Sequence, residues 1–232
     1  MKSKKTVAAL LPMKAHSERV KGKNFRDFNG KPLFRWILDT LSSLAEIDRS
    51  VINTDAREIL AQHGLVDSPR IRIRDRPSEL RGDRVSMNLV LADDIAAERA
   101  DVYVMTHTTN PLLGAGTIRD ALNRFEQAAD AGTADSLFTV NRMQTRFYRA
   151  DGSAVNHDPD NLVRTQELEP WFEENSNFYI FTANSFASTN ARIGRRPMMF
   201  ETPRLESFDI DDQTGWDMAE LVCRHLNEIR GA

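Results

Sequence analysis

The chain has one cysteine, Cys223, among 232 residues. That excludes an internal disulfide framework and any cysteine-built zinc or redox centre. Glycine is sparse, with 11 residues, and completes neither of the two common nucleotide-binding patterns. G-x-G-x-x-G is absent, which removes the nicotinamide-dinucleotide fingerprint. Gly22-Lys23 matches the end of G-x-x-x-x-G-K-[ST], but Ser17 occupies the upstream glycine position and Asn24 the terminal hydroxyl position. The loop of the common ATPases is therefore excluded as well. There is no basic excess: 31 Lys and Arg stand against 34 Asp and Glu, for a net charge of −3. That argues against a nucleic-acid partner. No apolar run approaches the roughly 20 residues of a membrane helix. The opening "MKSKKTVAALLPM" has too short an apolar stretch to span and no small-residue cleavage site after it. The expectation is a cytoplasmic protein with small-molecule partners.

What is present is an ordinary globular composition, 41% apolar and 28% charged, in a chain long enough for a substantial core. Apolar runs without polar alternation, "TVAALLP" (6–12), "DRSVINTD" (48–55) and "DVYVMTHTTNP" (101–111), suit central parallel strands covered on both faces. "RIRIRDRP" (70–77), "DSLFTVNR" (135–142), "NFYIFT" (177–182) and "PMMFE" (197–201) add further strands. Helical stretches lie between them: one opening at Pro32, one ended by Gly64, one capped by Ser86, one over 117–129, and a last one from near Gly215. The last presents Trp216, Ala219, Val222, Cys223, Leu226 and Ile229 on one face, so Cys223 reads as a buried inert thiol. Strand–helix alternation predicts one α/β domain, residues 1–232, with a mostly parallel sheet and helices on both faces. The polar, turn-rich stretch 143–172 interrupts the rhythm and reads as an inserted arm or lid.

In such sheets ligands bind at the carboxyl ends of the strands. Directly after the first strand, "LLPMKAHSERVKGKN" places Lys14, Arg19, Lys21 and Lys23 in one loop before a helix. A strand, a basic loop and a helix make a phosphate cradle, although most lysine clusters are merely solvated. Near the far end "ESFDIDD" sets Asp209 and Asp211 two apart. In a strand both would face one side, where the two charges repel unless a hard cation, Mg²⁺ or Mn²⁺, lies between them. A phosphate loop with metal-binding carboxylates is the equipment of nucleotidyl transfer.

The residues resemble the acylneuraminate cytidylyltransferases, the CMP-sialic acid synthetases, and more distantly the CMP-KDO synthetases. Six segments carry the resemblance, in order: "LPMKAHSERVKGKN" with "GKPL", "INTD", "RPSEL", "THTTNPLL", "FEENSNFYI" and "SFDID". It implies a Rossmann-like, nucleotide-diphospho-sugar-transferase type of sheet. It also implies transfer of CMP from CTP to the anomeric hydroxyl of a sialic-acid-like 2-keto sugar acid, with release of pyrophosphate. Position by position, it implies nucleotide contacts from Lys14, Ser17, Lys23, Asn24 and Arg76, with Lys14, Lys23 and Asp211 serving the chemistry. Asp209 and Asp211 match the metal-binding acids. His107, Thr109, Arg164, Gln166 and Glu173 fall at acceptor-side positions, and 143–172 matches a dimerisation arm, so a homodimer is implied.

Three positions depart from the family pattern. Glu173 stands for the arginine of F-R-x-N-G, Leu113 for the arginine of S-P-L-R, and His107 for the glutamine of L-Q-P-T. Replacing an arginine by a glutamate changes the local charge by two units, which leaves the acceptor open among N-acetylneuraminate, a modified nonulosonate, a KDO-type acid and a non-sugar acid. Asp211 is the candidate base and His107 the runner-up. A nucleotide-sugar glycosyltransferase and a non-catalytic nucleotide-binding regulator are the readings from other classes.

Overall fold

The computed structural model describes residues 4–17 and 19–231, with the side chains of 227 and 229–231 outside that description. Ile229, expected on the core face of the last helix, is among the latter.

The strands are β1 (Val7–Leu10), β2 (Asp27–Phe28), β3 (Lys31–Pro32), β4 (Arg49–Thr54), β5 (Ile71–Asp75), β6 (Val102–Thr106), β7 (Ser136–Met143), β8 (Trp171–Phe181) and β9 (Pro197–Glu201). The α-helices are α1 (Leu33–Ser43), α2 (Arg57–Gln62), α3 (Met87–Ala97), α4 (Ala115–Asp130), α5 (Ala183–Thr189) and α6 (Gln213–Gly231). Seven strands form one sheet in the order β5-β4-β1-β6-β8-β7-β9. β1 pairs in parallel with β4 and β6, and β4 with β5. β8 runs antiparallel to both β6 and β7, and β9 returns parallel to β7.

The unbroken apolar character of β1 has a direct structural counterpart. Val7 and Ala9 face a core with Phe34, Ile37 and Leu41 of α1 and Ile118 and Phe125 of α4. Ala8 and Leu10 face the opposite core, with Leu91 of α3 and Phe186 of α5. Alternate residues of one strand thus feed two hydrophobic layers, and no position is left for a polar side chain. A third cluster joins Val20, Phe28 and Leu33 to Ile210, Trp216, Ala219 and Cys223. It fastens the basic loop to the start of α6.

Several local expectations hold in detail. Gly64 lies at φ +70° after α2, and the Ser86 side chain accepts from the Asn88 amide at the start of α3. Others change. Pro32 ends the small β2–β3 hairpin and caps α1 rather than opening it. Asn29 and Gly30, both at positive φ, form the hairpin's turn. β8 begins at Trp171, six residues earlier than the apolar run suggests, because Met143 pairs with Trp171 across the ladder. The stretch between β7 and β8 is accordingly 144–170. The chain from 208 to 211 is irregular, not a strand.

Candidate active site

A crevice of about 390 Å³ opens at the carboxyl ends of β1, β5 and β6, and it brings together Lys14, Ser17, Lys23, Asn24, Arg76, His107, Thr109 and Asp211. Its first wall is the loop after β1. The loop is anchored at both ends: the Ala15 amide donates to Asp55 Oδ1 at 2.7 Å, and Asn24 Nδ2 donates to the Lys14 carbonyl at 2.7 Å. Asn24 Oδ1 also accepts from Thr108 Oγ at 2.6 Å. Asn24 therefore holds the loop closed against β6, and both ends of its amide are already engaged. Gly22, at φ +63°, lets its carbonyl accept from both the Phe25 and Arg26 amides.

The cations differ in their setting. Lys23 is buried, and its ammonium donates to the Ile210 carbonyl at 2.6 Å. Desolvation pulls its pKa down, while Asp209 and Asp211 oppose that shift. Lys14 is ion-paired to Asp83 across the crevice mouth. Arg19, not singled out in the sequence as a ligand-binding residue, reaches Asp211 at 2.9 Å. Arg76 is 3% exposed; its Nε donates to Asn53 Oδ1 at 2.7 Å and its Nη2 to the Asn53 carbonyl at 2.8 Å.

On the opposite side, the 208–211 segment is held by individual tethers rather than by a sheet. The Ile210 amide donates to the Thr109 carbonyl at 3.0 Å, Asn110 Nδ2 donates to the Phe208 carbonyl at 3.2 Å, and the Ile210 side chain is fully buried. This leaves Asp211 exposed in the crevice, while Asp212 Oδ1 caps α6 through the Gly215 amide at 2.8 Å. The Asp209 carboxyl is pushed above its usual range, mainly by loss of water and further by the charge of Asp211; a hydrogen bond from Thr109 opposes the shift. A carboxyl whose proton is held the more firmly by a neighbouring negative charge suits a divalent cation. Among the described residues no group of three or more His, Cys, Asp or Glu side chains gathers to hold a metal. A pair of carboxylates that shares Mg²⁺ with phosphate oxygens is the usual arrangement for that ion, so the donor set fits it.

His107 is half-buried in the crevice floor. Desolvation, then Arg192 and Lys23, push its pKa down to about 4. It is a neutral hydrogen-bonding group near pH 7, and the near-neutral titration that made it the runner-up base is lost.

A family profile described as Cytidylyltransferase matches residues 8–225. The chain belongs to the cytidylyltransferase family. It is a nucleotidyltransferase. It is 22% identical over 230 residues to the pseudaminic acid cytidylyltransferase of Campylobacter jejuni subsp. jejuni serotype O:2, covering 94% of this chain and 97% of that one. It is 26% identical over 225 residues to the N-acylneuraminate cytidylyltransferase of Oncorhynchus mykiss, covering 94% of this chain and 50% of that protein. Among solved structures, CMP:2-keto-3-deoxy-manno-octonic acid synthetase complexed with CTP superposes with a TM-score of 0.64 at 14% identity, over 95% of this chain and 99% of that one. This last likeness concerns the fold.

Three acceptor-side positions of this cytidylyltransferase lie outside the crevice. Arg164 is exposed and donates from Nε to Glu167 Oε1 at 2.8 Å. Gln166, in the same turn of 3-10 helix, accepts through its carbonyl from Gln144 Nε2 at 2.9 Å. Glu173 is exposed on β8 and accepts from Asn141 Nδ2 at 3.1 Å. Leu113 is buried in the main core.

Behind Arg76 lies a buried relay that left no sequence signal, because its members come from three elements. Asn53 of β4 presents its oxygen to Arg76 and donates through Nδ2 to Asp94 Oδ1 of α3 at 2.8 Å. Arg74 of β5 pairs with Asp94 and reaches Asp93 at 2.9 Å. Desolvation raises the Asp94 pKa from 3.8 to about 6. With the folded pKa above the unfolded one, the native state binds the extra proton. The contribution of this group to stability is full below pH 3.8 and fades as pH rises through about 6. Asp94→Asn is expected to flatten the pH dependence of Tm between those two values, read by thermal unfolding across that window. An unchanged profile would remove Asp94 from the titration.

Proposed function

We propose that the protein transfers CMP from CTP to the anomeric hydroxyl of a sialic-acid-like 2-keto sugar acid and releases pyrophosphate. The observation that carries this reading is the confrontation of Lys14, Lys23, Arg19 and Arg76 with Asp211 across one crevice. The relatives' names, pseudaminic acid cytidylyltransferase and N-acylneuraminate cytidylyltransferase, supply the acceptor class.

The basic residues are held by carboxylates that a triphosphate would replace: phosphate oxygens exchange with Asp83 for Lys14, and with Asp211 for Arg19. Arg76 needs no rearrangement, since Asn53 already fixes its guanidinium. The hydroxyl oxygen forms a bond to the α-phosphorus, the bond from that phosphorus to the bridging oxygen breaks, and pyrophosphate leaves toward the lysines. Asp211, freed from Arg19, accepts the hydroxyl proton. Mg²⁺ or Mn²⁺ on Asp209 and Asp211 would offset charge on the phosphates when bound.

A homodimer belongs to the same reading. The arm and its base expose Tyr148, Leu162, Val163, Trp171 and Phe172. So much exposed apolar surface in one region favours a second copy lying against it. Arg164 and Gln166 would then serve the neighbouring crevice.

The test is pyrophosphate release with Mg²⁺, crossing CTP, UTP, ATP and GTP with N-acetylneuraminate, KDO and di-N-acetylated nonulosonates. Release with CTP and one class of sugar acid is expected. Hydrolysis or transfer from a UDP-sugar instead would favour the glycosyltransferase reading. Absence of CTP binding would overturn the assignment of the basic loop.

A further inference from the structure

The family pattern places arginines at two positions that hold Leu113 and Glu173 here, and neither can furnish a cation to a bound acid. Leu113 is buried in the main core, and Glu173 is an exposed acid bonded to Asn141. Yet a cation does stand beside the crevice. A second hollow of about 350 Å³, lined among others by Ser86, Asn88, Glu174 and Arg192, shares Met87 with the nucleotide crevice. His107 lines the nucleotide crevice and feels the charge of Arg192 in the second hollow.

Arg192 is placed with care. Asn190, at φ +53°, ends α5 in the left-handed region and turns the chain back. The Arg192 guanidinium then lies over the Tyr179 ring, 4.1 Å from its centroid, and Nη2 donates to the Tyr179 hydroxyl at 3.0 Å. The Tyr179 hydroxyl in turn donates to Glu174. Glu174 is thereby held on the phenol and approaches Arg192 only to 3.8 Å. The arginine is oriented but only weakly neutralised, with its remaining fork available for a planar acid.

The backbone is distorted to make this arrangement. Glu174 and Tyr179 are five residues apart, so a regular strand would send them to opposite faces. Opposite them on β7, Phe138 and Val140 are only two apart, so β8 bulges between these pairs. Ser176, a non-glycine at φ +54°, sits in that bulge, and its hydroxyl is 3.0 Å from the Tyr179 hydroxyl. Left-handed backbone at a serine persists where surrounding contacts enforce it, and such strain concentrates at working sites.

We propose that this second hollow is the acceptor subsite and that Arg192 binds the carboxylate of the sugar acid, with Tyr179 and Glu174 fixing the guanidinium. The proposal rests on the cytidylyl-transfer reading and names the residue that recognises its acid.

Arg192→Gln and Arg192→Lys are compared with wild type, using CTP, Mg²⁺ and the best sugar acid of the panel above. In Arg192→Gln the acceptor KM is expected to rise by roughly tenfold to a hundredfold, the loss of one charge-assisted pair, with the CTP KM unchanged. Arg192→Lys, which keeps the charge without the fork, should fall between. Wild type should prefer the acid to its methyl ester, and Arg192→Gln should lose that preference. An acceptor KM and an acid-to-ester ratio that match wild type in a folded Arg192→Gln would overturn the proposal. If wild type shows no turnover, ligand-observed NMR of the same acids decides. CTP binding without binding of any acid overturns the subsite, and failure to bind CTP overturns the functional reading itself.

Discussion

Asp211→Asn is expected to lower turnover by roughly a hundredfold to a thousandfold, the usual loss when one electrostatic group of a transfer site is removed. The substitution is isosteric, and Asp211 is exposed on a segment held by other atoms, so the fold should not change. Those other atoms are the Lys23 ammonium on the Ile210 carbonyl and the Ile210 amide on Thr109. Asp211 now engages Arg19. Without the carboxylate, Arg19 is released toward phosphate, so CTP measured without divalent cation should bind as well as or better than to wild type. The pair of results, lower turnover with undiminished metal-free CTP binding, separates a chemical role from a binding role. A variant with wild-type turnover would take Asp211 out of the reaction.

Arg76→Met should show two effects together. The guanidinium is buried, and its Nε satisfies Asn53 Oδ1. An unpaired buried acceptor costs about 1–3 kcal/mol, which for a chain of this size lowers Tm by roughly 3–10 °C. The CTP KM should rise by roughly tenfold or more as a charge-assisted contact is lost. Calorimetry and steady-state kinetics on one preparation test both. A normal CTP KM in a folded Arg76→Met would move the triphosphate away from β5.

What the sequence makes legible follows from where side-chain chemistry is local. β1, β4 and β6 are readable because a strand buried on both faces has no room for polar residues. The basic loop and Arg76 are readable because charge at the end of such a strand is out of place. By contrast, Glu173–Ser176 is polar, and only the pairing of this stretch with β7 makes it part of a strand. The 208–211 segment looks like a strand by spacing, yet its shape comes from Thr109, Asn110 and Lys23, up to 187 residues away. Arg192 could not be placed from sequence, since its position depends on the turn at Asn190 and the distortion at Ser176.

The contact between Lys23 and the Ile210 carbonyl also has a meaning in time. Its partners are separated by 187 residues of synthesis, about 10–40 s at the pace of a ribosome. Throughout that interval the lysine lacks the carbonyl and the flanking carboxylates that let its ammonium be buried. The nascent chain therefore carries an open, hydrated loop, and the nucleotide pocket takes shape only when a segment made 187 residues later closes on it.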